Sequence, residues 1–254
     1  MMWTALLLAC GTASTAPPPQ APDGAERASD TVSSVEYRWT WAPAPASVTP
    51  RDDGGWVFHT DEGYTVELHA GQLVAYSVWL DPCPEQEVGL LDVLGGLASP
   101  FGQPAWAGHS VMSNPTASRQ PVVEDLVDLG SQSLPTLSFE PGRFCRTGAL
   151  FARGDNHTQP DGHAMSGTSI HLVGRWTKDG TTTDFDMKTT ISHSAGAQLQ
   201  PDGGGSHLSV DVRRSLDGLF DGIDFAATPE PRVLRGVLSN LVDHTTFVAR
   251  RTHP

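Results

Sequence analysis

Soft metal ligands are concentrated in two short stretches of the sequence, residues 108–112 and 154–166. Between them, these stretches carry His109, Met112, His157, His163 and Met165. Imidazole nitrogen and thioether sulfur suit copper, especially the cuprous ion, because soft ligands match a soft metal. We therefore predict a copper site formed by loop residues, with one further ligand from a strand; its members are His109, His157, His163, Met165 and His69.

These histidines also have a plainer interpretation, because a single His in an exposed loop is usually a solvated side chain. The His-x5-His spacing lacks the specificity of paired C-x2-C motifs. The sequence contains no G-x-S-x-G, H-E-x-x-H, P-loop or dinucleotide-binding motif, so we expect a binding protein rather than an enzyme. Two alternatives remain open. One is an envelope hydrolase with a non-local site, and the other is a metal-free structural or interaction protein that uses Trp56, Trp79 and Trp106 as core or partner contacts.

The N-terminus predicts export and lipidation. Residues 1–10 read M-M-W-T-A-L-L-L-A-C, an apolar run that ends in Cys10. This resembles the bacterial lipobox, in which the Cys is diacylated and becomes the first residue of the mature protein. A buried helix is the alternative, but ten residues cannot span ~30 Å of hydrocarbon, and Pro17 to Pro19 prevent a longer helix. The absence of Lys or Arg before Arg27 departs from ordinary signal peptides.

These features divide the chain into three parts. We expect a signal peptide at residues 1–9, a lipidated flexible tether at residues 10–32, and one globular domain at residues 33–254. The tether is rich in Pro, Ala, Ser and Thr without apolar periodicity, so it cannot bury enough surface to offset its ordering entropy. Gly11 follows the Cys where an Asp would imply retention in the inner membrane, so the lipobox resemblance implies anchoring in the outer membrane of the cell envelope, facing the periplasm or the cell surface.

The charge balance limits the possible partners. The formal net charge is −13, from 16 basic and 29 acidic residues. Such a chain is unsuited to nucleic acid or to electrostatic adhesion to anionic lipid. Cationic partners, including metal ions, are compatible with it, although a solvated acidic surface also explains the composition.

Two cysteines remain once Cys10 is acylated. Cys83 and Cys145 lie in an oxidising compartment, where we expect them to form a disulfide. The chain-entropy model gives about 4 kcal/mol for closing a loop of this length. A metal thiolate or two free thiols are the alternatives.

Period-two alternation of apolar and polar residues predicts many strands. In residues 64–70 it places His69 on the polar face with Glu67, and Ala70 on the apolar face with Tyr64. Other expected strands span residues 35–41, 55–60, 72–80, 136–139, 143–152, 169–176, 183–192 and 206–213, with a hairpin turn at 178–180.

Helical spacing of apolar residues is less common. Short helices are expected at residues 87–97, 122–129 and 215–223, and the best helical pattern begins at Pro231. Many short strands, 26 Gly and 20 Pro predict a mainly β protein: a single β-sandwich or barrel-like domain with a few short helices and one disulfide.

Several short segments, in order, carry a family resemblance that covers residues 64–226. They are the strand pair at 66–80, Pro141-Gly142-Arg143-Phe144, Asp155-Asn156-His157, and Val210-Asp211-Val212 followed by residues 216–224. This order resembles the methanobactin-partner (MbnP-like) family of periplasmic copper-binding proteins, and also uncharacterised lipoproteins of myxobacterial type.

The resemblance implies an exported, β-sandwich-like protein that binds copper through histidines. It also implies a redox or metal-handling partner protein in the envelope. His157 is the residue that maps onto the family's pattern. The chain departs from the family in having two cysteines in its mature domain rather than four.

Overall fold

The computed structural model describes residues 31–84, 114–118, 120–155, 158 and 165–253. In this part of the chain, two β-sheets contribute to one hydrophobic core, and an α-helix packs against strands of the larger sheet. The expected mainly β, sandwich-like fold is confirmed.

The elements follow one another in this order: β1 (Val32–Trp41), β2 (Val48–Pro50), β3 (Trp56–His59), β4 (Thr65–Pro82), β5 (Val122–Asp125), β6 (Gln132–Ser133), β7 (Leu137–Gly142), β8 (Phe144–Phe151), β9 (Ile170–Lys178), β10 (Thr181–Thr189), β11 (His193–Gln198), β12 (His207–Arg214), α1 (Glu230–Asp243) and β13 (Thr246–Thr252).

Strand β4 is 18 residues long and organises the larger sheet. Its first half pairs with β3 and β9, and its second half pairs with β5 and β8. The register shifts between Leu68 and Ala70 and again between Ala75 and Ser77. Because side chains alternate between faces, the first shift leaves Ala70 exposed, so its predicted place on the apolar face was wrong. The two strands predicted here form one irregular strand.

The smaller sheet is built around β1. This strand runs parallel to β12 and antiparallel to β6 and β7, and β13 pairs with the far side of β12. Alternate residues of β1 are buried, including Val35, Tyr37 and Trp39. They meet the buried residues of β4, such as Val66 and Leu68, in the core shared by the two sheets.

The C-terminal helix is confirmed. Pro231 lies in its first turn, where the missing N–H costs nothing. One stripe of the helix is buried, and it packs near β10 and β11. The stripe consists of Val233, Leu234, Val237, Leu238 and Leu241. Full burial of each such side chain contributes roughly 1.5–3 kcal/mol.

Two predicted helices are wrong, and the helix predicted at residues 87–97 lies outside the described residues. Residues 122–125 form a strand, because their backbone pairs with the edge of β4 and the apolar run is too short to specify a helix. Residues 215–223 form a series of turns. Gly218 and Gly222 have φ values of +61° and +68°, which interrupt a helix, while the apolar residues between them stay buried.

Two other local predictions are confirmed. The turn at residues 178–180 joins β9 and β10, with φ of +50° at Asp179 and +77° at Gly180, as a type I′ hairpin requires. Cys83 and Cys145 form the expected disulfide, with Cα atoms 4.7 Å apart. It joins the end of β4 to β8 beside the pair of Pro82 and Phe144.

Candidate metal site

The segment that carries His157 and His163 leaves the larger sheet at one point and returns to it at the same point. Strand β8 ends opposite Ala75 and β9 begins opposite Leu73, so Val74 lies between them on β4. The Ala152 N–H donates to the Val74 carbonyl (3.4 Å), and the Val74 N–H donates to the Ser169 carbonyl (2.9 Å). Ala152 and Ser169 therefore continue the backbone hydrogen bonding to β4 across the gap between β8 and β9.

Two backbone hydrogen bonds between Gly154 and residues 167–168, which we call the clasp, join the two ends of this segment. The Gly154 N–H donates to the Thr168 carbonyl, and the Gly167 N–H donates to the Gly154 carbonyl, both at 2.9 Å. A Cβ at Gly154 would lie 2.7 Å from the carbonyl oxygen of Met165, so the close approach requires glycine. The flanking residues of segment 156–164 are therefore held together by backbone bonds.

Met165 is the first described residue after residues 159–164, and it is fully buried. It does not belong to the main hydrophobic cluster. Val74 shows the same combination, and alternation puts Val74 on the face of β4 opposite Leu73 and Ala75, which are in the main core. The thioether is therefore excluded from water, while the metal ligands predicted beside it in sequence, His157 and His163, lie outside the described residues.

The stretch that carries His109 also lies outside the described residues, but both its flanks adjoin the far end of β4. Pro84 lies two residues beyond the end of the strand at Pro82. The Asn114 Nδ2 donates to the Leu80 carbonyl (2.8 Å), and the Thr116 hydroxyl accepts from the Leu80 N–H (2.9 Å). Leu80 is six positions from Val74, or about 20 Å along an extended strand. A site shared by the two stretches has to bridge that distance.

His69 lies elsewhere on the sheet, in the irregular part of β4 that pairs with β9. Its Nε2 is 3.6 Å from a carboxylate oxygen of Glu67, which also pairs with Arg51. Burial raises the pKa of Glu67, but the hydrogen bond and charge of Arg51 outweigh it and bring the pKa below its usual value. His69 is thus engaged with a carboxylate that prefers to stay charged.

A second histidine–carboxylate pair was not anticipated from the sequence. The Nε2 of His171 lies 2.8 Å from Asp186 Oδ1, across the pair of strands β9 and β10. His171 is two residues from Ser169, so it is closer along the chain to the clasp than His69 is. The alternation of residues 169–176 and 183–192 could have suggested an exposed polar face, but not this register. Among the described residues, no three His, Cys, Asp or Glu side chains are grouped to hold a metal ion.

The tryptophans named for the interaction hypothesis make intramolecular contacts. Trp56 donates its indole N–H to the Leu126 carbonyl at 2.8 Å, and Trp79 donates to Asp81 at 3.0 Å. The Trp79 ring also covers Gly148, where a Cβ would lie 2.5 Å from it. Both rings are half-buried, and Trp106 lies outside the described residues.

Cys10, the predicted lipidation site, also falls outside the described residues. Within the described ranges, no helix is long and apolar enough to cross a membrane. No family model, curated protein or solved structure matches the chain at a significant level.

Proposed function

We propose that this chain is an exported lipoprotein of the bacterial cell envelope that binds copper through His and Met ligands. The observation that carries the proposal is the position of Met165. Its thioether is fully buried. Met165 directly follows the segment that contains His157 and His163, beside the backbone hydrogen bonds that join the two ends of that segment. A soft ligand shielded from water, next to two imidazoles in sequence, is a combination that suits the cuprous ion.

The clasp supports the proposal on energetic grounds. A metal site formed by a long unconstrained loop loses conformational entropy when it binds its ion. The bonds between Gly154, Gly167 and Thr168 bring the ends of the segment together before any ion binds. His157 is two residues from Asp155, whose backbone N–H is bonded to the Thr158 hydroxyl at 2.8 Å.

The described residues do not supply a complete ligand set by themselves. Met165 is the one proposed donor at the clasp, and His69 is engaged by Glu67 on another part of the sheet. The remaining donors of the proposed site are therefore His109, His157 and His163. The net charge of −13 is favourable for attracting a cation to the protein.

The experiment measures copper bound per chain in purified protein without an affinity tag. Cuprous ion is maintained with ascorbate, because thiol reductants would attack the Cys83–Cys145 disulfide. We expect near-stoichiometric binding by the wild type. The His109→Ala, His157→Ala, His163→Ala triple variant should lose it while keeping β-rich circular dichroism. Affinity should also fall below about pH 6.5, since protonated imidazole does not bind metal.

A matched control replaces three other histidines, His59, His244 and His253, which are exposed in the structure. That variant should bind copper like the wild type. Met165→Leu keeps the buried volume but removes the sulfur, so it should weaken cuprous binding with little effect on folding. Persistent binding in the first triple variant would move the site toward His69 and His171. No binding by the wild type would favour the metal-free interaction lipoprotein.

The anchor is tested separately. Cys10→Ala removes the thiol that acylation requires, so the variant should leave the membrane fraction or stay unprocessed. Membrane association unchanged by this substitution would contradict the lipoprotein assignment without bearing on copper. A redox or metal-handling partner in the envelope remains part of the proposal.

A further inference from the structure

The two ends of the sandwich differ in charge. The turns at one end, which we call the acidic end, carry six carboxylates and one Lys. They are Asp61, Glu62, Asp179, Asp217, Asp221 and Asp224, with Lys178. Contacts unite these turns: Asp221 accepts from the Asp61 N–H (3.3 Å), and Asp61 accepts from the Gly222 N–H (2.7 Å). This end would be repelled by an anionic surface.

The opposite end holds the point at which the N-terminal segment enters the fold. Val32, at the start of β1, pairs with Gly142 at the end of β7. Arg143 then connects β7 in the smaller sheet to β8 in the larger one, and we call residues 139–144 the β7–β8 corner. Strand β4 runs from the acidic end to this corner, so its 18 residues separate the two by at most about 55 Å.

The β7–β8 corner is apolar and carries little net charge. Phe139 and Phe144 pack edge to face with ring centroids 5.4 Å apart, and both remain half-exposed. Pro141 and Arg143 are exposed beside them. Arg143 and Arg146 balance Glu140 and Asp81, in contrast to the strongly negative opposite end. Phe side chains can insert at the boundary between lipid headgroups and acyl chains, and an Arg beside them can keep its charged head in water.

We propose that the β7–β8 corner rests on the phospholipid surface and that the acidic end points away from it. This inference rests on the proposed lipid anchor at Cys10. A flexible chain of 22 residues, the length from Cys10 to Thr31, has a root-mean-square span of about 25 Å, which is less than the length of β4. The tether therefore keeps the corner near the bilayer, where a weak contact becomes an intramolecular one.

The net charge of −13 is consistent with this arrangement. It disfavours adsorption of the free protein to anionic lipid, so the untethered chain should not bind vesicles that contain anionic phospholipid. Once the chain is tethered, the charge affects only which end of the folded domain faces the bilayer. Repulsion of the acidic end and insertion of the apolar corner then favour the same orientation.

The test uses residues 10–254 with the Cys10 thiol coupled to a maleimide-headgroup lipid in vesicles of phosphatidylethanolamine and phosphatidylglycerol. An environment-sensitive fluorescent amino acid is placed at Pro141 or, in a second preparation, at Asp179. Nitroxide-headgroup lipid should quench the Pro141 probe at least threefold more than the Asp179 probe. Arg143→Glu should reduce that ratio by half or more, whereas Lys188→Glu, the same charge change at an exposed site on β10, should not.

Equal quenching of the two probes would overturn the proposed orientation, as would an Arg143→Glu variant that orients like the wild type. Chemical coupling makes the result independent of whether the cell acylates Cys10. Mass spectrometry of the Cys10 peptide from cells tests the anchor itself, so the two failures are distinguishable.

Discussion

Arg214 and Glu124 form a buried ion pair that joins the two sheets. Arg214 ends β12 in the smaller sheet, and Glu124 lies on β5 in the larger one. The guanidinium lies over the rings of Trp39 and Trp41, at 5.0 Å and 4.4 Å from their centroids, and its Nε donates to the Thr40 carbonyl. Burial lowers the pKa of Arg214 well below its usual value. The carboxylate is therefore needed to keep this cation inside the protein.

Glu124→Gln should destabilise the protein by about 3–5 kcal/mol, because it leaves a buried guanidinium without its counter-charge. The measurement is the urea midpoint at constant slope, since guanidinium chloride would screen the ion pair. Glu67→Gln is the control: its partner Arg51 is only partly buried and keeps a second carboxylate, Asp53, so the loss should be about 1 kcal/mol or less. Similar losses in the two variants would contradict the role assigned to the buried pair.

Asp224 should contribute to the loss of stability in acid. Its carboxylate accepts from the Tyr64 hydroxyl and from the backbone N–H groups of Ala227 and Ala226, and these bonds lower its pKa in the folded state. The stabilisation is present above the unfolded pKa of about 4 and is lost as pH falls through the lower folded value.

Asp224→Asn should therefore flatten the decline in melting temperature between about pH 5 and pH 2. Tyr64→Phe removes the strongest of the hydrogen bonds and should act in the same direction. Circular dichroism melts across this pH range provide the measurement. An Asn variant with the acid dependence of the wild type would show that Asp224 does not participate.

Gly154→Ala should weaken the clasp at the foot of the candidate metal site. The new methyl group would overlap the Met165 carbonyl, so we expect a loss of about 1–3 kcal/mol. Hydrogen exchange of the Gly154 and Gly167 amides should accelerate more than exchange in β1. Gly130→Ala is a suitable control, because a Cβ there meets no atom within 4 Å. Unchanged exchange at both amides would contradict the clasp.

The Cys83–Cys145 disulfide should leave no titratable thiol in denatured, unreduced protein from which Cys10 has been removed. Reduction should lower the free energy of unfolding by about 4 kcal/mol, because the loop it closes spans 62 residues. Thiol titration and urea unfolding check the two parts. Two free thiols before reduction would mean that the cysteines are not paired in the mature protein.

The local sequence pattern predicted an element correctly where that element forms in the same way whatever it packs against. The stripe of residues 233–241 has the period of a helix whatever it packs against, and the turn at Asp179 and Gly180 needs only residues that tolerate positive φ. The helix predicted at residues 122–129 is wrong because four or five apolar positions are compatible with the period of a helix and with that of a strand. Pairing with the open edge of β4 decided for a strand.

For the candidate site, the sequence by itself determined which ligand chemistry is available, since His, Met and Cys can be counted and their spacing read. It also determined the alternation that makes the fold mainly β and the pattern that predicts export. Only the tertiary structure decided that Met165 is buried beside a clasp, that the register shift in β4 leaves Ala70 exposed, and that Arg214 meets Glu124. Each of these depends on contacts between segments that are separated along the chain, and such contacts are set by the packing of the whole core rather than by neighbouring residues.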